Sequence, residues 1–265
     1  MRRHVECSTD PAHKALATVK LRDLTIDRVA GWSQANERAL APTTAVIALI
    51  ALGQICRFAV RRGWLASNPV AKLEPAEKPH WTPKQSAILE PEQLAALLEH
   101  AGNYRLLFEF LAHTGLRIGE ALGLTWADID HANGLIRVHR QLSRRREHAP
   151  LKTEAGRREV VLATTLARRL REHRLASRYK QSSDVVFANT LGRGLDYRDV
   201  GEGFRQAVKR AGLQAPGKLT LHSPRHGFAS LLIANGLNVV YVSRQLGHAN
   251  PSITLEVYAH LFAQA

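Results

Sequence analysis

The stretch LGHANPSITLEVYAH, residues 246–260, contains side chains that could do chemistry near the end of this sequence. His248 follows a glycine, an Asn-Pro turn comes next, and Tyr258 lies on what the pattern predicts to be a short helix. A tyrosine near a helix end is most often buried packing with a hydrogen-bonded hydroxyl. Its phenol oxygen can also form a covalent bond with a substrate. The stretch alone leaves both roles open.

Other segments also carry reactive polar residues. Arg117 lies in TGLRIGE, Lys152 lies in LKTEAGRR, and His222 and Arg225 lie in HSPRH. Each segment is a weak signal alone, because an H-x-x-R pattern arises by chance and a lysine in a hairpin is normally solvated. Arginine nevertheless suits phosphate, since its planar fork binds two oxygens and keeps its charge. Neither arginine alone identifies a substrate.

The HSPRH segment also predicts the start of a helix. Ser223 is a candidate N-cap, and Pro224 fits the first helical position. Arg225 would then lie beside free backbone N–H groups, and a helix N-terminus favours an anion.

The histidines raise the alternative of a metal site. His222 and His226 are four residues apart and could face one metal ion. No acidic third ligand lies near them in sequence. We therefore expect no metal and no cofactor, and we interpret His113, His226 and His260 as structural or supporting side chains.

The composition points to a polyanionic partner. The chain has 265 residues, a formal net charge of +14 and a sequence pI near 10.4. Such a charge favours nucleic acid, although a simply basic soluble protein is the alternative. Aromatic residues make up only 6% of the chain, so base stacking is not expected to dominate binding. Contacts from arginine and lysine to phosphates fit better.

The sequence also bears on location. Cys7 and Cys56 lie far apart and suggest neither a disulfide framework nor a zinc site, which fits a reducing compartment. No apolar run reaches the roughly 18 residues of a membrane span. Arg2 and Arg3 have no apolar stretch behind them, unlike a secretory signal. We expect a cytoplasmic protein that does not act at a membrane.

The elements that must position the reactive residues divide into two groups. Residues 1–74 are predicted to be a short helical domain, with one helix capped by Thr25 and running through Trp32 and another from Pro42 to about Arg61. Prolines among charged residues predict a linker over 75–88. Residues 89–265 are predicted to form the second domain.

The second domain should combine helices with a small sheet. An Asn133-Gly134 turn is followed by alternating residues, which is a hairpin signal. Two short strands are predicted around 154–156, and Thr164 is a candidate cap for a helix to about His173. Further helices follow to the end. The fold class is therefore mainly α with a small antiparallel β-sheet.

Taken together and in their order along the chain, four segments resemble the tyrosine recombinase family, the phage-integrase type of site-specific DNA recombinase. These segments are TGLRIGEAL, LKTEAGRREVVL, HSPRHGFASLLIANG and LGHANPSITLEVYAHL. The resemblance covers about residues 89–262 and extends more weakly into 24–70. It implies a helical core-binding domain and a catalytic domain that grip double-stranded DNA as a C-shaped clamp. It also implies several protomers assembled on paired sites, and no small-molecule substrate.

The resemblance also implies a mechanism. DNA would be cleaved and rejoined through a 3′-phosphotyrosine, without a metal ion or ATP. Tyr258 would be the nucleophile, and Arg117 and Arg225 would clamp the phosphate.

Four more roles follow from the same resemblance. His222 would receive the tyrosine proton, and Lys152, on a mobile hairpin, would protonate the departing 5′ oxygen. His248 would hydrogen-bond the phosphate. Glu120, one turn after Arg117, would orient its neighbours rather than react.

The sequence departs from the family at some positions and leaves rival functions open. Ser223 and Pro224 stand where the family usually has an acidic residue and a leucine, and the first domain is short. A non-catalytic DNA-binding descendant of the fold is the first rival, although the complete set of reactive residues argues against it. A type IB topoisomerase and a metal-dependent nuclease are the others.

Overall fold

The computed structural model describes residues 16, 18–82, 87–151, 153–215 and 217–262, except for the side chain of residue 260. The chain divides into two compact units, with the boundary between Pro83 and Lys84. Lys152 and Cys7 lie outside the described residues.

The first unit contains two α-helices, α1 (Ile26–Ala39) and α2 (Pro42–Arg61). The hydroxyl of Thr25 accepts the backbone N–H of Arg28 at 3.3 Å, which confirms the predicted N-cap. Helix α1 continues well past its predicted end. The prediction stopped too early because the later inward-facing positions of the helix are polar. Ser33 and Asn36 are both buried, so the apolar periodicity that marks a helix fades before the helix ends.

Short 3₁₀ helices complete the first unit, at Leu21–Asp23, Pro69–Lys72 and Pro75–Glu77. The last of them lies in the predicted linker but is folded against α1. The hydroxyl of Ser33 donates to the carbonyl oxygen of Glu77 at 2.7 Å. Ala87 and Leu89, at the other end of the predicted linker, are buried in the core of the second unit. Much of the 75–88 segment is therefore ordered structure.

Helix α2 contradicts the expectation that no segment has the length and composition of a membrane span. By length and composition alone it is long and apolar enough to cross a membrane, and 28% of its most apolar window is buried in the protein. One such helix is weak evidence, because a core helix of a soluble protein passes the same test. Ala45, Leu49 and Cys56 form part of its inward face, and Cys56 is a free cysteine.

The second unit contains most of the helices. They are α3 (Pro91–Glu99), α4 (Arg105–Thr114), α5 (Ile118–Leu122), α6 (Thr164–Ala176), α7 (Tyr197–Arg210), α8 (Ser223–Ala234), α9 (Val239–Leu246) and α10 (Pro251–Phe262). Short 3₁₀ helices occur at Gly102–Tyr104, Trp126–Asp128 and Glu154–Gly156. The mainly helical prediction is confirmed.

Two small antiparallel sheets lie between α5 and α6. Strands β1 (Ile129–Asp130), β2 (Leu135–Val138) and β5 (Arg158–Val161) form one sheet in the order β1-β2-β5. Strands β3 (Arg140–Leu142) and β4 (His148–Pro150) form the other. The predicted hairpin at Asn133-Gly134 is confirmed, since Asp130 pairs with Leu135 across it.

Two local predictions in this region were wrong. Residues Glu154–Gly156 form a 3₁₀ helix rather than a turn between two adjacent strands, and the strand before it ends at Pro150. Thr164 is the first residue of α6 rather than its cap, because Ala163 occupies the cap position and makes no side-chain cap bond. Sequence patterns locate such element ends only approximately.

Two apolar clusters support the second unit. The larger one runs from α3 to α7 and includes the fully buried rings of Phe108, Phe110 and Phe204. The smaller one joins α8, α9 and α10 through Ala229, Leu246 and the ring of Tyr258. The smaller cluster fixes the helices that carry the C-terminal reactive residues.

Candidate active site

A buried carboxylate organises the first part of the site. The side chain of Glu120 is 2% exposed and accepts Nη1 of Arg117 at 2.8 Å and Nη2 of Arg158 at 2.9 Å. It also accepts the backbone N–H of Arg117 at 3.0 Å. Burial would raise the pKa of Glu120, but Arg158 and Arg117 together lower it below its ordinary value. The carboxylate therefore stays ionised and holds both guanidinium groups.

Arg225 lies in the first turn of α8 and is 6% exposed. Its Nη1 donates to the carbonyl oxygen of Gly115 and its Nη2 to that of Leu246, both at 2.6 Å. Its Nη2 also lies 3.0 Å from Nε2 of His248. Burial and the nearby charge of Arg117 lower the pKa of Arg225 to about 9, so the group remains charged at neutral pH.

Both candidate clamp arginines meet the C-terminal end of α9. Arg225 contacts the carbonyl oxygen of Leu246, and Nη2 of Arg117 donates to that of Gly247 at 3.3 Å. Gly247 has a φ of 65°, a left-handed conformation that glycine adopts without strain. A Cβ atom there would lie 2.7 Å from Nη1 of Arg158. Glycine therefore permits the close packing at this point.

His248 has a definite hydrogen-bond arrangement. Its Nε2 faces Arg225, and its Nδ1 lies 2.8 Å from the hydroxyl of the buried Thr254. An arginine can only donate, so Nε2 accepts and Nδ1 carries the hydrogen. Burial, followed by the charges of Arg225, Arg117 and Arg158, lowers the pKa of His248 to about 4. The ring is neutral at physiological pH.

Tyr258 projects from α10 and is 2% exposed. Its hydroxyl oxygen lies 2.6 Å from Nδ1 of His226 on α8. Burial raises the pKa of Tyr258 to about 12, although Arg225 acts to lower it. Burial, followed by the charges of His222 and Arg225, lowers the pKa of His226 to about 4. At neutral pH the pair is therefore a neutral phenol hydrogen-bonded to a neutral imidazole.

His222 immediately precedes α8, and part of the residue is exposed to solvent. Partial burial and the charges of Arg225 and Arg117 lower its pKa. The prediction that Ser223 caps the helix was wrong, because α8 begins at Ser223 itself. Its hydroxyl instead accepts the backbone N–H of Thr220 at 3.0 Å, in the turn before the helix.

The structure therefore brings together most of the residues that the sequence singled out. Hydrogen bonds link Arg117 with Glu120 and Arg225 with His248. Tyr258 joins the group through its electrostatic interaction with Arg225, and His222 through the same arginine. The position of Lys152 is not described. Among the described residues, no group of three or more His, Cys, Asp or Glu side chains could hold a metal ion.

Comparison with known proteins identifies the family. The family model described as the phage integrase family matches residues 87–265. Tyrosine recombinase XerD of Halalkalibacterium halodurans is 30% identical over 232 residues, which are 85% of this chain and 73% of the relative. The chain belongs to the phage integrase family.

Two further comparisons extend this result. Prophage integrase IntR of Escherichia coli K12 is 26% identical over 230 residues, so the match takes in 78% of this chain but only 54% of IntR. The Tn1549 transposon integrase, solved in complex with transposon right end DNA, superposes with a TM-score of 0.81 at 22% identity. That match covers 94% of this chain and 87% of the other. This likeness establishes a shared fold across both units.

Within this phage integrase family member, the sequence reasoning missed two supporting residues. Arg158 was not singled out, yet its side chain is 6% exposed and also donates from Nε to the carbonyl oxygen of Gln245 at 2.7 Å. The alternation of β5 was an available signal, because Arg158 shares a strand face with the buried Val160. Thr254, which holds His248, carries no comparable signal in the sequence.

Proposed function

We propose that this chain is a site-specific DNA recombinase that cleaves and rejoins DNA through a 3′-phosphotyrosine, with neither a metal ion nor ATP. One observation carries the proposal. Arg117, Arg225 and His248 meet at the C-terminal end of α9, and Tyr258 lies beside them on the next helix. Membership of the phage integrase family agrees with this chemistry.

In this mechanism Arg117 and Arg225 bind the non-bridging oxygens of one phosphodiester. Charge develops on those oxygens in the transition state, and preorganised donors stabilise it. The guanidinium groups are held in advance by Glu120 and by the carbonyl oxygens of Gly115 and Leu246. Little reorganisation is then needed when DNA binds, because the carbonyl contacts already orient the forks.

The phenol oxygen of Tyr258 attacks phosphorus in line with the 5′ oxygen. The new O–P bond forms as the bond between phosphorus and the 5′ oxygen breaks, and Lys152 donates a proton to that oxygen. The phosphoester is conserved, so a 5′ hydroxyl of another strand can reverse the reaction. Because Tyr258 is 2% exposed in this conformation, the path from its hydroxyl to the DNA must open before the attack.

The two histidines of the predicted set act at the proton and at the phosphate. By resemblance, the phenol proton passes to a histidine at the start of α8, for which the sequence predicted His222. His248 donates to a phosphate oxygen through Nε2. In the present arrangement Nε2 accepts from Arg225, so the ring must first gain a proton or change tautomer. A bound phosphate favours that change, since its negative charge offsets the positive charges that depress the pKa of His248.

We propose double-stranded DNA as the partner, bound by several protomers. The formal net charge of +14 favours a polyanion, and the Tn1549 integrase was solved on DNA. The chain matches little more than half of IntR, so the activity of the whole protein is likewise a proposal. No small molecule enters the mechanism.

A covalent trapping assay tests the function. Duplexes that the protein binds are first selected from a random-sequence pool. They are then resynthesised with a nick at successive positions, so that cleavage beside the nick releases a short fragment with a free 5′ hydroxyl and the adduct cannot rejoin. They are incubated in EDTA with wild type and with Tyr258→Phe. We expect an SDS-resistant protein–DNA band with wild type only, at equal DNA affinity. A band with the phenylalanine variant, or none with wild type on DNA that it binds, contradicts the proposal.

A further inference from the structure

Two histidines at the start of α8 are candidates to accept the phenol proton, and they differ in geometry. His222 is exposed and lies before the first residue of the helix. His226 lies one turn later, is half-buried, and has Nδ1 2.6 Å from the hydroxyl oxygen of Tyr258. Within the described residues, His226 is the hydrogen-bond partner of that hydroxyl.

We infer that His226, rather than His222, receives the proton of Tyr258 when the tyrosine attacks phosphorus. This inference rests on the proposed function. It gives a role in the reaction to a histidine that the sequence indicated only as a supporting side chain.

The geometry favours His226 on three grounds. A general base must lie within hydrogen-bond reach of the proton that it accepts, and His226 already does. Tyr258 is buried in the apolar cluster that joins α8 to α10, and this packing holds the two side chains at their observed separation. His226 also directly follows Arg225, so the same turn of α8 that orients the phosphate clamp orients the base. Movement of the phosphate and the base relative to each other is thereby restricted.

The charge state suits a proton acceptor. Four ionisable groups interact with the His226 ring: His222 from the residue before α8, Arg225 from α8, Tyr258 from α10 and His248 from the turn before α10. Burial and the first two of these lower the pKa of His226 to about 4. The ring is therefore neutral above that pH, and the negative charge of a bound phosphate raises its basicity for the reaction. It accepts from the phenol in the tautomer that carries hydrogen on Nε2.

The proton balance closes without another reactant. The hydrogen moves from the Tyr258 hydroxyl to Nδ1 of His226 while the O–P bond forms, because a phenol oxygen loses basicity as it bonds to phosphorus. The electron pair of the broken P–O bond passes to the 5′ oxygen, which Lys152 protonates. In the rejoining step the tyrosine oxygen leaves phosphorus and takes the proton back from His226.

The test compares asparagine variants on the nicked duplex under single-turnover conditions from pH 6 to pH 9. In His226→Asn the amide can still accept a hydrogen bond near the position of Nδ1, but it cannot accept the proton. We expect adduct formation to slow by about 100-fold or more at pH 7. The deficit should shrink by roughly tenfold per pH unit as solvent hydroxide replaces the base. A purely structural role would not produce that pH dependence.

Two variants complete the design. His222→Asn should retain the pH profile of the wild type. His113→Asn is the control, because His113 is also a helical histidine with a hydrogen-bonded Nδ1, 2.8 Å from the carbonyl oxygen of Glu109, but it is exposed and lies outside the site. Its adduct rate should equal that of the wild type.

The inference is overturned if His226→Asn reacts within about threefold of the wild type with the same pH profile, since a base normally contributes far more. It is also overturned if His222→Asn shows the pH-dependent deficit instead. If His226→Asn folds or binds DNA poorly, His226→Ala with added imidazole decides, because restored reaction supports the inference and no restoration overturns it. Absence of any wild-type adduct would instead refute the proposed function.

Discussion

Glu120→Gln tests the buried carboxylate on which both guanidinium groups depend. In the wild type, all three hydrogen-bond partners of Glu120 are donors: the backbone N–H and Nη1 of Arg117, and Nη2 of Arg158. A glutamine has one acceptor oxygen, and its amide N–H groups would face donors. The substitution therefore preserves the shape of the side chain but removes its charge and at least one hydrogen bond.

The expected magnitude follows from burial. Breaking a buried ion pair by removing one charge costs about 3–5 kcal/mol, because the remaining charge is left without compensation. Arg158, with a side chain 6% exposed, keeps hydrogen bonds to the carbonyl oxygens of Gly156 and Gln245. We therefore expect a loss at the lower end of that range, about 3 kcal/mol, which corresponds to a fall in Tm of about 6–12 °C for a unit of this size.

The measurement is thermal unfolding of wild type and Glu120→Gln, with Glu202→Gln as the control. Glu202 pairs with Arg205 at the surface of α7, with side chains 49% and 60% exposed, so solvent screens the pair and its substitution should leave Tm nearly unchanged. A Tm for Glu120→Gln within about 2 °C of the wild type, or a loss equal to that of Glu202→Gln, would refute the reasoning.

The pH dependence of stability tests independently whether the ionised form of Glu120 stabilises the fold. The pKa of Glu120 is lower in the folded than in the unfolded chain, so its contribution is present above the ordinary value of 4.5 and is lost as pH falls through the folded value. The difference in unfolding free energy between wild type and Glu120→Gln should be largest at neutral pH and shrink below pH 4.5. A difference that grows on acidification would contradict the assignment.

Two further predictions concern the general acid and the close packing at the end of α9. Lys152→Ala should slow adduct formation on ordinary DNA by about 100-fold or more. The same variant should react nearly as fast as wild type on a duplex with a 5′-thiol leaving group, because a thiolate needs little protonation. Equal losses on both substrates would show that Lys152 is not the general acid. Gly247→Ala should destabilise by about 1–2 kcal/mol from left-handed strain alone, plus a further loss because its Cβ would lie 2.7 Å from Nη1 of Arg158. Gly236→Ala has the same strain at φ +76° with nothing within 4 Å, so thermal unfolding should show a smaller loss there; equal losses would refute the packing argument.

The sequence predicted the elements that rely on local signals. The N-cap at Thr25, the turn at Asn133-Gly134 and the helix from Pro42 to Arg61 are each specified by residues a few positions apart, and all three are confirmed. Of the two strands predicted around 154–156, the later one is β5, whereas the earlier strand ends at Pro150, because alternation over so few residues does not locate a strand reliably.

The candidate site was less accessible to sequence reasoning because its contacts join distant positions. The bond from Arg158 to Glu120 spans 38 residues, and that from Arg225 to Gly115 spans 110. No local pattern encodes them. The choice between His222 and His226 as partner of the Tyr258 hydroxyl likewise depends on how α8 and α10 pack, which residue spacing on one helix does not reveal.

The most direct test of the central claim is to identify the atom that links protein to DNA. The trapped adduct is digested with nuclease and trypsin, and the modified peptide is sequenced by mass spectrometry. We predict a 3′-nucleotide on the tryptic peptide that begins at Gln245, at Tyr258, the one tyrosine between residues 245 and 265. A nucleotide on another residue, or one attached through its 5′ phosphate, would contradict the account.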